Sequence, residues 1–433
     1  MRRILSVAIA VLCLAAMQAS ADTPVQQART LQNQAREAYK ASKFADAAGN
    51  FAAALTFRPH HPGLLYNFAA TSAKAGHNDD AIRALNEYAD MGLIADLDKD
   101  TDFDGLKKLP AYIAVLSRLA ANRKPIGTST IAVTISGPPF LAEGIAYDSA
   151  GKRFFVSSVD QRKIVQINAD GRATDFVPSG RDGLLGAFGM AIDVKTQLLW
   201  VSTSGVAHAR ALDPAEKGIG GAFAFALKDG TFVSNMLSKP PAADAPRVVA
   251  DLAVGPDDTV YATDSALPII YAIPSPFSRP AHAEREWLKS EDFVSLQGIA
   301  ATPDGKGLIA ADYSMGIFFI DRATKAIERI DYAGGTTLLG IDGLVRNGNT
   351  LIAVQNGIAP QRVVAITLNA SGNGVAAVKV ISANDPNIPE PSLGTMRGDD
   401  YCVVANAQWS RFNEDGTPKQ TLDPARVACI KLK

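Results

Sequence analysis

The chain has 433 residues, 47% of them apolar and 20% charged, with 43 basic side chains against 44 acidic ones. That composition at this length predicts two or three folded domains and excludes global disorder. A formal charge of −1 carries no basic excess of the kind that binds nucleic acid, and three cysteines are too few for a disulfide scaffold. Met1 to Ala21 combines Arg2 and Arg3, a nearly continuous apolar run from Ile4 to Met17, and small residues at Ala19-Ser20-Ala21. This is the pattern of a cleaved signal peptide over residues 1–21, so the mature protein is expected in the periplasm or secreted. No internal stretch reaches the ~18 apolar residues that a membrane span needs. In an oxidising compartment Cys402 and Cys429 either pair, if their strands are neighbours, or serve as two small buried hydrophobes.

From Val25 to Leu119 the chain is rich in Ala, and its apolar residues recur at helical spacing. Tyr39, Phe44, Ala47, Phe51, Ala54 and Pro59 form one unit. Phe68, Gly76, Ala81, Leu85 and Tyr88 form a second, with Ala47 and Ala81 separated by 34 residues. The pattern resembles tetratricopeptide repeats, which place small residues where paired helices touch. A shortened third element surrounds Phe103, Leu106, Tyr112, Leu116 and Leu119. Residues 22–124 are therefore expected to form a small all-α domain. It serves either as a groove for a protein or peptide partner or as a spacer packed on the main domain. His60, His61 and His77 fall in or beside inter-helix turns and are expected to be solvated.

Beyond a polar joint at residues 121–125, the period changes to two, with short strands punctuated by Gly, Asp-Gly and Pro. Five segments repeat one design, starting at Glu143, Gly189, Asp251, Gln297 and Asp342, and a weaker sixth starts at Gly394. Each carries a polar residue, an apolar strand, a turn and a second apolar strand, with a further strand after it. Six such copies predict a six-bladed β-propeller over residues 125–433. The strand following Thr130 is expected to complete the last blade and close the ring.

In a propeller the first strand of each blade lines the central channel, so residues just before it converge at one mouth. Glu143, Asp251, Gln297 and Asp342 are read as holding that shared position. Unpaired, such carboxylates would repel one another and raise their own pKa values. A hard divalent cation removes the conflict, and all-oxygen ligation fits Ca²⁺ best, with Mg²⁺ or Mn²⁺ as alternatives.

Residues from Phe140 to Leu432 resemble the senescence-marker-protein/gluconolactonase family and, more distantly, the paraoxonases. The resemblance rests on Ala142-Glu143-Gly144-Ile145, Asp251-Leu-Ala-Val with Tyr261-Ala-Thr-Asp264, Gln297-Gly298-Ile299 with Pro303-Asp-Gly305, and Asp342-Gly343-Leu344. It implies metal ligation by Glu143 and Asp342, with Gln297 standing where the family has Asn, and Asp251 standing where an Asn lies near the substrate. The activity implied is metal-assisted hydrolysis of a small lactone or ester, such as a sugar-acid lactone. Asp342 or Asp251 would act as general base, and His208, in the insertion of blade 2, as a proton shuttle. The competing reading is a non-enzymatic binding or scaffold protein using the same two modules.

Overall fold

The computed structural model describes residues 23–277 and 285–432. The leader expected over residues 1–21 lies outside them. Thr23 opens α1 (Pro24–Lys40) with a closed capping box, its hydroxyl accepting from Gln26 N–H while Gln26 Oε1 accepts from Thr23 N–H at 2.8 Å. Next come α2 (Phe44–Phe57), α3 (Pro62–Lys74) and α4 (Asn78–Asp90), each packed on its predecessor across a short turn. Ala35, Ala47, Ala54, Ala69 and Ala81 are fully buried, and their methyl-sized side chains let the helix axes approach closely. The third helical element is a 3₁₀ turn, Thr101–Leu106, followed by α5 (Pro110–Ala121), with Phe103 edge-on to Tyr66.

One turn histidine departs from expectation. His61 caps α3, its ring Nδ1 accepting from Leu64 N–H at 3.3 Å. Burial, and then the Arg58 guanidinium beside it, push its pKa down to about 3. It is a neutral structural cap and not a solvated loop residue.

The remainder is six four-stranded antiparallel sheets. Their innermost strands are Ala142–Asp148, Gly186–Asp193, Val249–Val254, Leu296–Ala301, Ile341–Asn347 and Gly394–Arg397, which begin blades 1 to 6 in chain order. Neighbouring inner strands pack on one another, as a ring around one axis requires. The outermost strand of blade 6 is Ser129–Thr134, which pairs antiparallel with Arg426–Lys431. The first strand of the domain thus closes the ring onto the last, as the sequence pattern predicts. Small hydroxyls stitch successive blades together. Ser157 donates to Phe188 O at 2.7 Å, Ser202 to Ala250 O at 3.0 Å, and Thr263 to Gln297 O.

The helical layer docks on blades 3 to 5. Val25 joins the core of Tyr261, Phe293 and Phe318, and Ile358 packs against the helical core. Arg362 is 2% exposed and donates to Met91 O at 2.8 Å, Gln355 Oε1 at 2.8 Å and Thr336 Oγ1 at 3.2 Å. A buried guanidinium is tolerated there because acceptors surround it.

Cys402 and Cys429 face each other on adjacent strands of blade 6, with Cα atoms 4.0 Å apart, and are disulfide-bonded. This decides between the two sequence readings. The bridge closes a loop with a sequence separation of 27 residues, for which chain entropy gives about 3–4 kcal/mol. Replacing both cysteines by alanine should therefore lower the thermal midpoint by several degrees. Wild type measured in reductant should match the variant, and an unchanged midpoint would show that the strands alone hold the blade.

Candidate metal and hydrolase site

A repeated β-bulge decides which side chains reach the axis. In blade 1, Ala142 pairs with Ser158 and Ile145 with Val156, so Glu143-Gly144 form the bulge between them. The same irregularity isolates Phe188-Gly189, Ala250-Asp251, Gln297-Gly298 and Asp342-Gly343 in blades 2 to 5. Bulges of this kind re-aim side chains. The glycines follow from close approach of adjacent inner strands. A Cβ on Gly144 would overlap Phe188 O, and one on Gly298 would lie 2.5 Å from Leu344 N.

This register corrects one expectation. Glu143, Gln297 and Asp342 do share a position, the first of the bulge. Asp251 does not; Ala250 holds that position in blade 3, and Asp251 stands one residue on, where the other blades carry glycine. The cause is the pairing of Val249 with Asp264 and Leu252 with Ala262.

All four side chains nevertheless line one cavity of about 330 Å³. Its other walls include Phe188, Tyr313, Asn356, Gln361, Glu390 and Trp409, and among the described residues no Lys, Arg or His lines it. Asp251 also lines a second, mostly apolar cavity of about 520 Å³ further along the inner strands, so it stands at the waist between the two.

Two carboxylates are held in place by neutral donors. Trp409 Nε1 donates to Glu143 Oε2 at 2.6 Å, and Asn356 Nδ2 donates to Asp342 Oδ2 at 2.6 Å. Tyr313 OH in turn donates to Asn356 Oδ1 at 2.9 Å, fixing the amide's orientation. Gln297 Nε2 donates to Ser295 Oγ at 3.3 Å, and Leu252 N–H to Asp251 Oδ1 at 2.9 Å. Gln361 Oε1 is buried without a hydrogen-bond donor.

Electrostatics follow from burial without counter-charge. Desolvation, and then the Asp342 carboxylate, raise the Glu143 pKa well above the usual carboxylate range. Burial raises Asp251 in the same way, and lifts Asp342 to about 6 against the opposing Asn356 hydrogen bond. Burial, and then the Asp342 and Glu143 carboxylates, raise the Tyr313 phenol, which stays a neutral donor.

The donor set is oxygen-only, anionic and lacking a cationic side chain, which fits a hard divalent cation better than a transition metal. Among the described residues no three His, Cys, Asp or Glu side chains form a metal cage by themselves. A cation here would need the amide oxygens as well as the acids.

His208 lies elsewhere. Its ring packs edge-on against Trp409 at 5.0 Å and Phe412 at 5.7 Å, and burial lowers its pKa. It does not line the acid cavity. Trp409, Asn356, Tyr313 and Gln361 are absent from the sequence reading. Asn356 had a signal, because it follows the second strand of blade 5 just as polar residues close that strand in other blades. Trp409 had none, sitting in a 3₁₀ turn of blade 6 whose position depends on ring closure.

No protein family matches the chain as a sequence, and no curated protein matches it. Among solved structures it is similar to a gluconolactonase from Xanthomonas campestris, at 15% identity over 72% of this chain and 92% of that one, with a TM-score of 0.44. It is similar to virginiamycin B lyase from Staphylococcus aureus at 14% identity over 70% and 98%, with a TM-score of 0.44. A calcium-binding protein, regucalcin, from Agrobacterium tumefaciens is similar at 15% identity over 72% and 97%, with a TM-score of 0.46.

The acid cluster has a thermodynamic signature. Folded-state pKa values above the unfolded ones mean that the folded protein binds more protons between about pH 4 and Asp342's pKa of about 6. Stability contributed by these groups is therefore present below pH 4 and lost as pH rises through 6. In chelator, the thermal midpoint should fall over that interval, and Glu143→Gln should flatten the fall. A midpoint in chelator that rises steadily from pH 4 to 7 in wild type, while Glu143→Gln behaves identically, would contradict the assignment.

Proposed function

We propose that this protein is an exported propeller hydrolase for a small lactone or related ester, with a divalent cation, Ca²⁺ by preference, held by Glu143, Gln297 and Asp342. One observation carries the reading. Buried carboxylates from three blades, Glu143, Asp251 and Asp342, share one cavity, and no Lys, Arg or His is among the described residues that line it. A bound cation supplies charge neutralisation and Lewis-acid polarisation of a substrate carbonyl.

The chain's own residues supply the rest. Trp409 and Asn356 orient the two acids, and Phe188 with Trp409 forms an apolar wall that limits water. Asp251 holds no place in the shared register and accepts a hydrogen bond only at Oδ1 among the described residues. Its Oδ2 takes the proton from the attacking water and returns it to the ring oxygen as the acyl C–O bond breaks, giving a hydroxy acid. His208, behind Trp409, receives no proton-transfer role. The helices are read as a tetratricopeptide-like layer that walls one side of the propeller.

Purified mature protein should hold about one equivalent of Ca²⁺ by calorimetry, and Asp342→Ala should abolish it. On a panel of aldonic and acyl lactones, Asp251→Asn should lower kcat at least ~100-fold with the bound cation retained. Cation binding without turnover of any lactone would favour the non-enzymatic binding reading. Undiminished binding in Asp342→Ala would remove the site.

A further inference from the structure

A third cavity, of about 410 Å³, lies where the helices meet blades 4 and 5. Its walls include Arg29, Arg58, His61 and Gly63 from the helical layer, and Tyr313 from blade 4. Tyr313 also lines the acid cavity, so the two spaces adjoin at that ring.

Arg58 is the unusual group. It is 6% exposed and donates to Ser314 O, but it makes no ion pair among the described residues. The Asp312 carboxylate acts on it electrostatically but makes no salt bridge with it among the described residues, and accepts instead from the backbone N–H groups of Val294, Ser295, Ser314 and Met315. Other positive groups crowd it. Arg329 donates to Phe57 O at 2.7 Å and pairs with Asp331 at 3.0 Å, while Arg29 is exposed on α1. His61 adds no further positive charge, because its cap geometry and burial keep it neutral. At the start of α3, Gly63 N–H has no acceptor among the described residues, so the positive end of a 13-residue helix faces the same space. A mostly buried guanidinium without a direct ion pair, whose neighbouring carboxylate already accepts four backbone hydrogen bonds, keeps unspent donors for an anion.

We propose that this junction cavity is an anion subsite, anchored by Arg58 and assisted by Arg29 and the start of α3, for a ligand bearing a carboxylate or phosphate group. Resting on the hydrolase reading of the adjoining cavity, the substrate is then an acidic lactone or ester, its anionic end at Arg58 and its carbonyl beyond Tyr313.

The test uses the full mature protein in chelator, with inorganic phosphate and gluconate as probes, in calorimetry and thermal shift at constant ionic strength. Saturable binding of either probe is expected, weakened about tenfold by Arg58→Met and less by Arg29→Ala. Asp342→Ala should bind the probes as wild type does, which separates this subsite from the fate of the hydrolase reading. Tighter gluconate points to a sugar acid, and tighter phosphate to a phosphoester; both support the subsite. If Arg58→Met does not fold, Arg29→Ala decides. A response no larger than that to sodium chloride, or equal affinity in wild type and in the folded arginine variants, overturns the proposal.

Discussion

The pairing of Ser129–Thr134 with Arg426–Lys431 is the contact on which the site depends, because it turns a row of six sheets into a ring. Glu143 and Asp342 lie in different blades, and only a closed ring holds their inner strands at a fixed distance from one axis. An open array would leave an exposed sheet edge and a variable gap between its first and last blades. Closure also lets Trp409 of blade 6 reach Glu143 of blade 1, and Ser392 donate to Glu143 O. The disulfide between the two middle strands of blade 6 reinforces the blade that carries this load.

Closure forces the inner strands together, and the bulge is how the backbone accommodates it. One bulge residue aims at the channel mouth while the next faces the neighbouring strand, where glycine stands in four of the five bulged blades and a Cβ would overlap backbone in three of them. Asp251 at that second position is the exception, and it places a carboxyl at the channel's waist. The acid cluster is thus a consequence of backbone geometry before it is a consequence of any ligand. Its carboxyls are then held away from their ordinary pKa by burial without a countercharge.

Architecture was legible in the sequence because period-two strands, turns and a recurring polar–glycine pair report directly on the blade. Ring closure, blade count and the convergence of Glu143, Gln297 and Asp342 follow from that repetition. The Asp251 register was misread because a repeat aligned by similar letters cannot reveal which residue sits in a bulge. The position of His208 in the blade 2 insertion suggests a proton shuttle at the mouth, but its ring packs instead against Trp409 and Phe412. Trp409 and Gln361 belong to loops whose positions are fixed by neighbouring blades, so no local pattern announces them. The cysteine pair was legible only as a choice, since strand adjacency within blade 6 depends on pairing across a long insertion.

The helical layer changes how the propeller reads. Its pattern of small residues describes how α1 to α4 pack on each other and is silent about what their remaining face covers. In the structure that face is spent on the propeller, through Val25, Ile94 and the acceptors of Arg362. Docking carries the Arg58 guanidinium into a low-dielectric junction beside Tyr313, while the propeller contributes carboxylates on the other side of the same ring. Neither module contains both charges. Buried charges of opposite sign that are too far apart to pair form a field across the space between them, and a polar ligand with one anionic end aligns along it. On the proposed reading, the two modules are parts of one binding surface, and the helices contribute to selectivity through position without touching the reacting bond.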